Sequence, residues 1–544
     1  YLVALIPIGW ALSLNLKIKT KNLKIYKLLP FYLFTFLLFS TLLFTQSRSG
    51  FLGFVLSYVF FWGITFLKNR HNIKSFIKPF LIVNCTLIIA NFIFGSPFAA
   101  INKYFSLKSI KSGFTPAVTS QNPPSDTQIA VGGTESSAIR KIVWKGAIDI
   151  FRHYPLFGSG VETFAYSYYQ FRPVEHNLVS EWDFLYNKAH NEYLNYLATT
   201  GIFGLGSYLL LISAFIFWSL NTLIKANKSE FKRMSEFAHS RPLSTIRANS
   251  HVQEPETKTN FLLITSLLSG YVSILVTNFF GFSVVVTSLY FFLIPAFALV
   301  LLNDNKEKDI SHNTYHASPV IFIPLILATF YLLLATVNYW RADFFYAKSQ
   351  KFAKQGNYPE SYQNLYRAKN LFPNEPVYLS EISAVTANLA LMAAEQKQSS
   401  PAGELENLAI SYSEQAKNIS PKNLNVLKTR VRVFYLLSLI KPAYLTEAVD
   451  TLLESMKLAP TDPKLVYNLG LLYAKMNNSS LAIQTIEKAI QLKPDYVDAR
   501  NALELLYEET GDKQKALEQL QILIKLAPEN AAEFQKRLDK LKTQ

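Results

Sequence analysis

Three side chains in this sequence have the type and setting to handle a charged leaving group and an alcohol. His190 is followed directly by Asn191 at the end of a long polar stretch, shortly before Gly201 and Gly204 and the apolar run that begins at Leu205. An imidazole titrates near neutral pH, so one held at a membrane edge can take the proton of an attacking hydroxyl. The same residue also reads as a helix-start histidine satisfied by a neighbouring carbonyl, and local spacing alone leaves both readings open. Arg48 lies in the short polar break Gln46 to Gly50 between two apolar runs, and Arg140 opens a segment with helical periodicity. A guanidinium presents a fixed fork of donors suited to phosphate oxygens. At a membrane edge it must snorkel, pair or bind an anion, so Arg48 is either a headgroup contact or a ligand for an anionic substrate.

Other residues carry weaker signals. Glu181 and Asp183 flank Trp182 as an acid-x-acid triplet, but two carboxylates are fewer oxygen ligands than a hard cation gathers, so a solvated loop face is expected and no metal. His153 and His176 are expected to be structural or to line the acceptor site. The aromatic stretch Phe164 to Phe171 suits sugar stacking or interface packing. The single cysteine, Cys85, excludes an intramolecular disulfide and a cysteine-based metal site. No cofactor is implied.

The elements that must position these groups are of two kinds. Half of the 544 residues are hydrophobic, yet the net charge is +16, a combination that points to one membrane part and one soluble part. The basic residues cluster between apolar runs, which favours a topogenic role over nucleic-acid binding. Apolar runs at Leu28 to Thr45, Phe51 to Leu67, Pro79 to Gly95, Leu205 to Leu223, Phe261 to Phe279, Phe282 to Leu302 and Val320 to Tyr339 are each near the length needed to span a bilayer. The chain opens at Tyr1 in what reads as the second half of a span, so earlier helices are expected to be missing. With Lys17 to Lys27, Lys68 to Lys78 and the linker Ile224 to Asn260 inside, the positive-inside rule puts Arg48, the polar stretch 96–203 and everything past Trp340 outside. The expected division is transmembrane helices over 1–95, an extracytoplasmic catalytic loop over 96–203, further transmembrane helices over 204–340 and a repeat domain over 341–544.

That last region repeats every 34 residues. Pro460, Pro494 and Pro528 keep this interval, as do Ala448, Ala482 and Ala516. The period and the small residues resemble tetratricopeptide repeats, helical hairpins that stack into a solenoid with a concave binding surface. Two less regular copies end at Pro373 and near Pro421. A protein partner bound by the array is expected.

His190, Asn191, nine residues, Gly201, two residues and Gly204, taken with Arg48 in TQSRSGFLGF, resemble the signature of the O-antigen ligase and polymerase-like membrane glycosyltransferases over residues 28 to about 302. Trp144 stands where that family often has leucine after its loop arginine, so Arg140 departs from the pattern. The resemblance implies an all-α fold: a polytopic, N-terminally truncated membrane bundle of the GT-C-like kind with a large extracytoplasmic loop, followed by the soluble solenoid. It implies metal-independent transfer of a glycan from a polyprenyl-diphosphate carrier to a hydroxyl of a surface glycolipid or protein, at the outer face of a bacterial cytoplasmic membrane. Arg48 and Arg140 would hold the diphosphate, Asn191 would contact substrate, and His190 would be the base. A polymerase extending lipid-linked glycan shares these motifs. A membrane-anchored repeat scaffold, or a transporter, is the non-enzymatic alternative.

Overall fold

A computed structural model of the chain describes residues 2–20, 25–95, 136–240, 254–303 and 319–543. Residues 112–135 of the expected polar stretch, 241–253 of the basic linker and 304–308 after the last bundle helix lie outside them. Among the described residues every regular element is helical. They form two units, described separately: 2–20, 25–95, 151–161, 188–240 and 254–303 in the first, and 136–150, 162–187 and 319–543 in the second.

The first unit is an apolar helical bundle. Its helices are α1 (Leu2–Lys19), α2 (Leu29–Phe44), α3 (Arg48–Lys68) and α4 (Lys74–Phe94), followed after the loop by α7 (Glu192–Ser240), α8 (Glu254–Phe279) and α9 (Val285–Asn303). Continuous apolar sequence becomes helix because a helix satisfies its own backbone in lipid. The 21 residues of α3 rise about 31 Å, close to the hydrocarbon thickness. Helix α8 is central. Its buried Ser266, Ser269 and Ser273 turn their hydroxyls back onto the carbonyls of Leu263, Thr265 and Gly270, leaving a slim surface that neighbours approach closely. Trp10, Phe39, Phe61, Tyr271 and Phe291 fill the core.

Helix α3 runs antiparallel to α8. A methyl group at Gly53 would lie 3.0 Å from the Ser273 carbonyl oxygen, while at the far end Lys68 Nζ sits 4.1 Å from the Phe261 ring centroid. Arg48 and the basic Lys68 therefore mark opposite ends of the bundle.

The second unit is the repeat array with part of the loop. Helix α10 (Pro319–Lys354) has exposed apolar side chains from Ile323 to Tyr339, then buries Ala342 and Ser349 against α11 (Tyr358–Leu371). The boundary expected at 340 thus falls inside one continuous helix. Four more hairpins follow: α12 (Pro376–Glu395) with α13 (Ser399–Ile419), α14 (Leu424–Ser438) with α15 (Tyr444–Leu458), α16 (Pro463–Lys475) with α17 (Ser479–Leu492), and α18 (Val497–Glu509) with α19 (Lys513–Leu526). Helix α20 (Ala531–Thr543) caps the stack. The periodic Ala448, Ala482 and Ala516 are fully buried where paired helices meet. Asp462, Asn478 and Asp512 accept from Lys464 N, Leu481 N and Lys515 N and so start three of the helices.

Among the described residues seven helices are long and apolar enough to cross a membrane. One is α12, whose Leu379, Ile382, Val385 and Ala387 are buried inside the array, so its apolar composition reflects repeat core.

Candidate functional site

Two candidate residues lie toward the same end of the bundle. Ser47 accepts a hydrogen bond from Gly50 N at 3.1 Å and caps α3, which leaves Arg48 exposed on the first helical turn. On the other side of α8, the Tyr193 hydroxyl donates to the Leu275 carbonyl at 3.0 Å. Gly53 and Tyr193 thus reach the same turns of α8, around Ser273 to Thr277, and they lie five residues after Arg48 and three after His190. Both candidates stand at the rim of that end of the bundle.

His190 is half-buried, in the left-handed conformation with φ of 52°, and its ring meets Phe282 edge-on at 5.2 Å. Asn191 is 2% exposed and caps the next helix, its side-chain oxygen accepting from Leu194 N at 3.0 Å. Asn195 reaches back to accept from Ala189 N at 3.3 Å. Glu192, also buried, accepts from Ser283 N at 3.1 Å and so fixes the turn that carries Phe282. Sequence reasoning passed over Glu192, Asn195 and Phe282. The signal available was a carboxylate at the very start of an apolar span, which is costly unless it has a fixed partner.

The two signature glycines have a backbone role. Gly201 interrupts α7 at φ 65° and ψ −164°, a region open in practice only to glycine, and a methyl group there would lie 2.3 Å from the Leu156 carbonyl oxygen. The turn segment Pro155 to Gly160 lies in this break. Ser159 N donates to Ala198 O at 3.0 Å, Gly160 N to Thr199 O at 2.9 Å and Ile202 N to Pro155 O at 2.9 Å. Gly158, with φ of 68°, approaches the Thr199 backbone just as closely. These contacts pin α7 around Ala198 to Ile202, some turns beyond His190.

Arg140 lies in the second unit, half-buried on α5 (Ser136–His153). The buried stripe of α5 is Ile139, Val143, Ala147 and Ile150. Next comes α6 (Phe164–Phe171), with Tyr168 packed so tightly on α5 that a methyl group at Gly146 would lie 2.6 Å from its ring. Tyr168, His176 and Tyr186 form a buried aromatic cluster in which the Tyr168 hydroxyl meets His176 Nδ1 at 2.8 Å. Burial, with the nearby Arg172 charge, holds the His176 imidazole down at about 4. It is a neutral, structural histidine at physiological pH. Tyr186 donates to Glu181, and the Arg140 charge is felt at the Tyr186 hydroxyl. The Lys145–Glu175 pair, 2.7 Å apart and exposed, ties α5 to the same segment.

This segment is bound along the turns between repeats. Asn177 Nδ2 donates to Thr461 O at 2.9 Å and Leu492 O at 3.1 Å, Thr461 Oγ1 donates to Arg172 O at 3.0 Å, and Lys493 Nζ donates to Asn177 O at 2.9 Å. Trp182 stacks edge-on against Tyr496, with Lys493 Nζ 4.6 Å from its centroid. Asp183 pairs with Lys464 at 2.5 Å, so both acids of the triplet have protein partners. Arg172 and Asn177 are buried and bonded to each other. Burial pushes the Arg172 guanidinium down from its ordinary value, opposed first by Asp462. Tyr169 lies near Lys428, beside a cavity of about 170 Å³ lined by Tyr166, Leu185, Glu381 and Asn423. A hydrogen bond to a charged group such as Lys493 contributes about 1.5–3 kcal/mol net.

Residues 33–209 match the family model for O-antigen ligase, a span that contains Arg48, Arg140, His190, Asn191 and both signature glycines. This stretch of the chain is similar to that family. Residues 463–496 match the tetratricopeptide-repeat model. No curated protein matches the chain. Solved structures similar to the array include a thermophilic tetratricopeptide-repeat protein from Thermus thermophilus (19% identity, 37% of this chain and 100% of that one, TM-score 0.29). Two others are MamA from Desulfovibrio magneticus (21%, 35% and 96%, TM-score 0.27) and pilF from Pseudomonas aeruginosa (19%, 38% and 93%, TM-score 0.27). Within the array a cavity of about 520 Å³ is lined by Lys428, Arg432, Tyr435, Leu471 and Lys475 among others.

Proposed function

We propose that the protein transfers a glycan from a polyprenyl-diphosphate carrier to a hydroxyl acceptor, a surface glycolipid or a protein, at the outer face of the cytoplasmic membrane. The observation that carries this reading is the convergence of Arg48 and His190 on one end of α8, away from the basic Lys68 end that the charge rule assigns to the cytoplasm. Arg48 combines a guanidinium with the first turn of a helix, both of which favour phosphate oxygens. Arg140 is its partner on the diphosphate. His190 takes the acceptor proton as the oxygen attacks the anomeric carbon, and the carbon–oxygen bond to the diphosphate breaks with its electron pair leaving on the phosphate. Asn191 serves as the cap that aims His190. The cavity within the array is the place for a protein acceptor or partner.

The test is to incubate membranes holding the full chain with a labelled lipid-diphosphate glycan and to follow where the label goes. Wild-type protein should label a protein or glycolipid acceptor. Arg48→Ala and His190→Ala should each lower the rate by roughly two to four orders of magnitude while unreacted donor accumulates. Label found only in longer lipid-linked chains would replace transfer with polymerisation. Unchanged rates in both variants would leave the scaffold reading.

A further inference from the structure

We propose that the row of inter-repeat turns is a docking site for the chain's own loop, and that the array thereby positions the helix carrying Arg140. Tetratricopeptide arrays present two different surfaces, the concave groove and the edge where one hairpin turns into the next. Here the edge is the occupied one. Three successive turns, at residues 420–424, 459–463 and 492–497, each receive part of the loop: Tyr169 at the first, Arg172 and Asn177 at the second, Asn177 and Trp182 at the third. The contacts are side-chain specific. Buried Lys493 is shared between the Asn177 carbonyl, the Asp495 carboxylate at 2.9 Å and the Trp182 ring. Asp183 of the loop pairs with Lys464 of the array.

The route from this edge to Arg140 is short and packed. Asn177 adjoins His176, His176 bonds Tyr168, and Tyr168 lies against Gly146, six residues along α5 from Arg140. Lys145 and Glu175 close a second link. Lys493, Thr461 and Lys464 are therefore positioning residues for the arginine that the proposed transfer places on the diphosphate. This inference rests on that reading for its kinetic consequence and on geometry alone for the docking. It also implies that donor turnover depends on the array, where an array that only recruited acceptor would leave donor turnover intact.

The experiment compares full-length wild-type protein with Lys493→Met, Lys493→Arg and Trp182→Ala. Hydrogen exchange at residues 172–183 should rise at least tenfold in Lys493→Met and Trp182→Ala and return toward wild type in Lys493→Arg, while exchange in α18 and α19 stays unchanged. In the labelled-donor assay, Lys493→Met should raise KM for the lipid-diphosphate glycan several-fold and lower kcat, with recovery in Lys493→Arg. Unchanged exchange in both disruptive variants overturns the docking. Raised exchange with unaltered KM and kcat overturns the positioning role. If wild-type protein moves no label, the transfer reading falls, and the exchange result alone then upholds or refutes the docking.

Discussion

The loop between the bundle's two sets of helices is held in two ways, and each half has a histidine at its centre. Around His190 the fastening is backbone on backbone: Pro155 to Gly160 exchanges amide hydrogen bonds with the break at Gly201. Around His176 the fastening is side chain on turn, through Asn177, Trp182 and Asp183 against the repeats. The first arrangement leaves its imidazole half-buried against Phe282, and the second seals its imidazole among Tyr168, Tyr186 and Arg172. A histidine meant to exchange protons needs access, whereas one buried without a counter-charge stays neutral. The contrast assigns chemistry to the first half of the loop and architecture to the second.

The largest effect that would break this contrast is on rate. His190→Ala should lower transfer by roughly two to four orders of magnitude, whereas His176→Asn, whose side-chain oxygen can still accept from Tyr168, should keep kcat within about tenfold of wild type. A reversed pattern in the labelled-donor assay would exchange the two roles. Next is the rigidity of the backbone fastening. Gly201→Ala brings a methyl group within 2.3 Å of the Leu156 oxygen and forces an unfavourable dihedral pair, so it should cost about 4 kcal/mol. Gly206→Ala, with nothing within 4 Å of the added methyl, is the control and should leave the thermal midpoint in detergent unchanged.

Much of this was legible in the sequence because the governing signals are periodic or compositional. The apolar runs located the bundle helices, although α7 begins at Glu192, well before the run at Leu205, and the 34-residue interval located the last repeats, since a hairpin solenoid must repeat its small residues where helices touch. The burial of Glu192 and the edge docking of Asn177 were not legible. Both depend on partners far away in sequence, Ser283 in one case and Thr461 and Lys493 in the other, and no local pattern encodes such pairings. The resemblance implies a substrate contact for Asn191. Its cap geometry became visible only when Leu194 N was seen to donate to it. Composition also marked α12 as span-like, and packing placed it in the repeat core.

Acid sharpens the comparison in a narrower way. The native His176 imidazole titrates at about 4, and an unfolded one near 6.5, so between these values the unfolded chain binds a proton that the folded one refuses. Stability linked to this residue is complete above about pH 6.5 and falls as the pH drops toward 4. His176→Asn should remove that part of the acid slope in thermal unfolding. An unaltered slope between pH 6.5 and 4 would mean that the cluster opens to water before the repeats melt.

The smallest expected effect tests whether the charged rim of the docked edge matters by itself. Asp183 and Lys464 are both partly exposed, so water screens their attraction and the pair contributes about 0–1 kcal/mol. Asp183→Asn should therefore shift the thermal midpoint only slightly and leave exchange at Asn177 near wild type, because the buried bonds from Lys493 and Thr461 persist. If Asp183→Asn instead released residues 172–183 as fully as Lys493→Met, docking would be governed by long-range charge. The loss would then deepen steadily with added salt, which a buried hydrogen-bonded contact would resist.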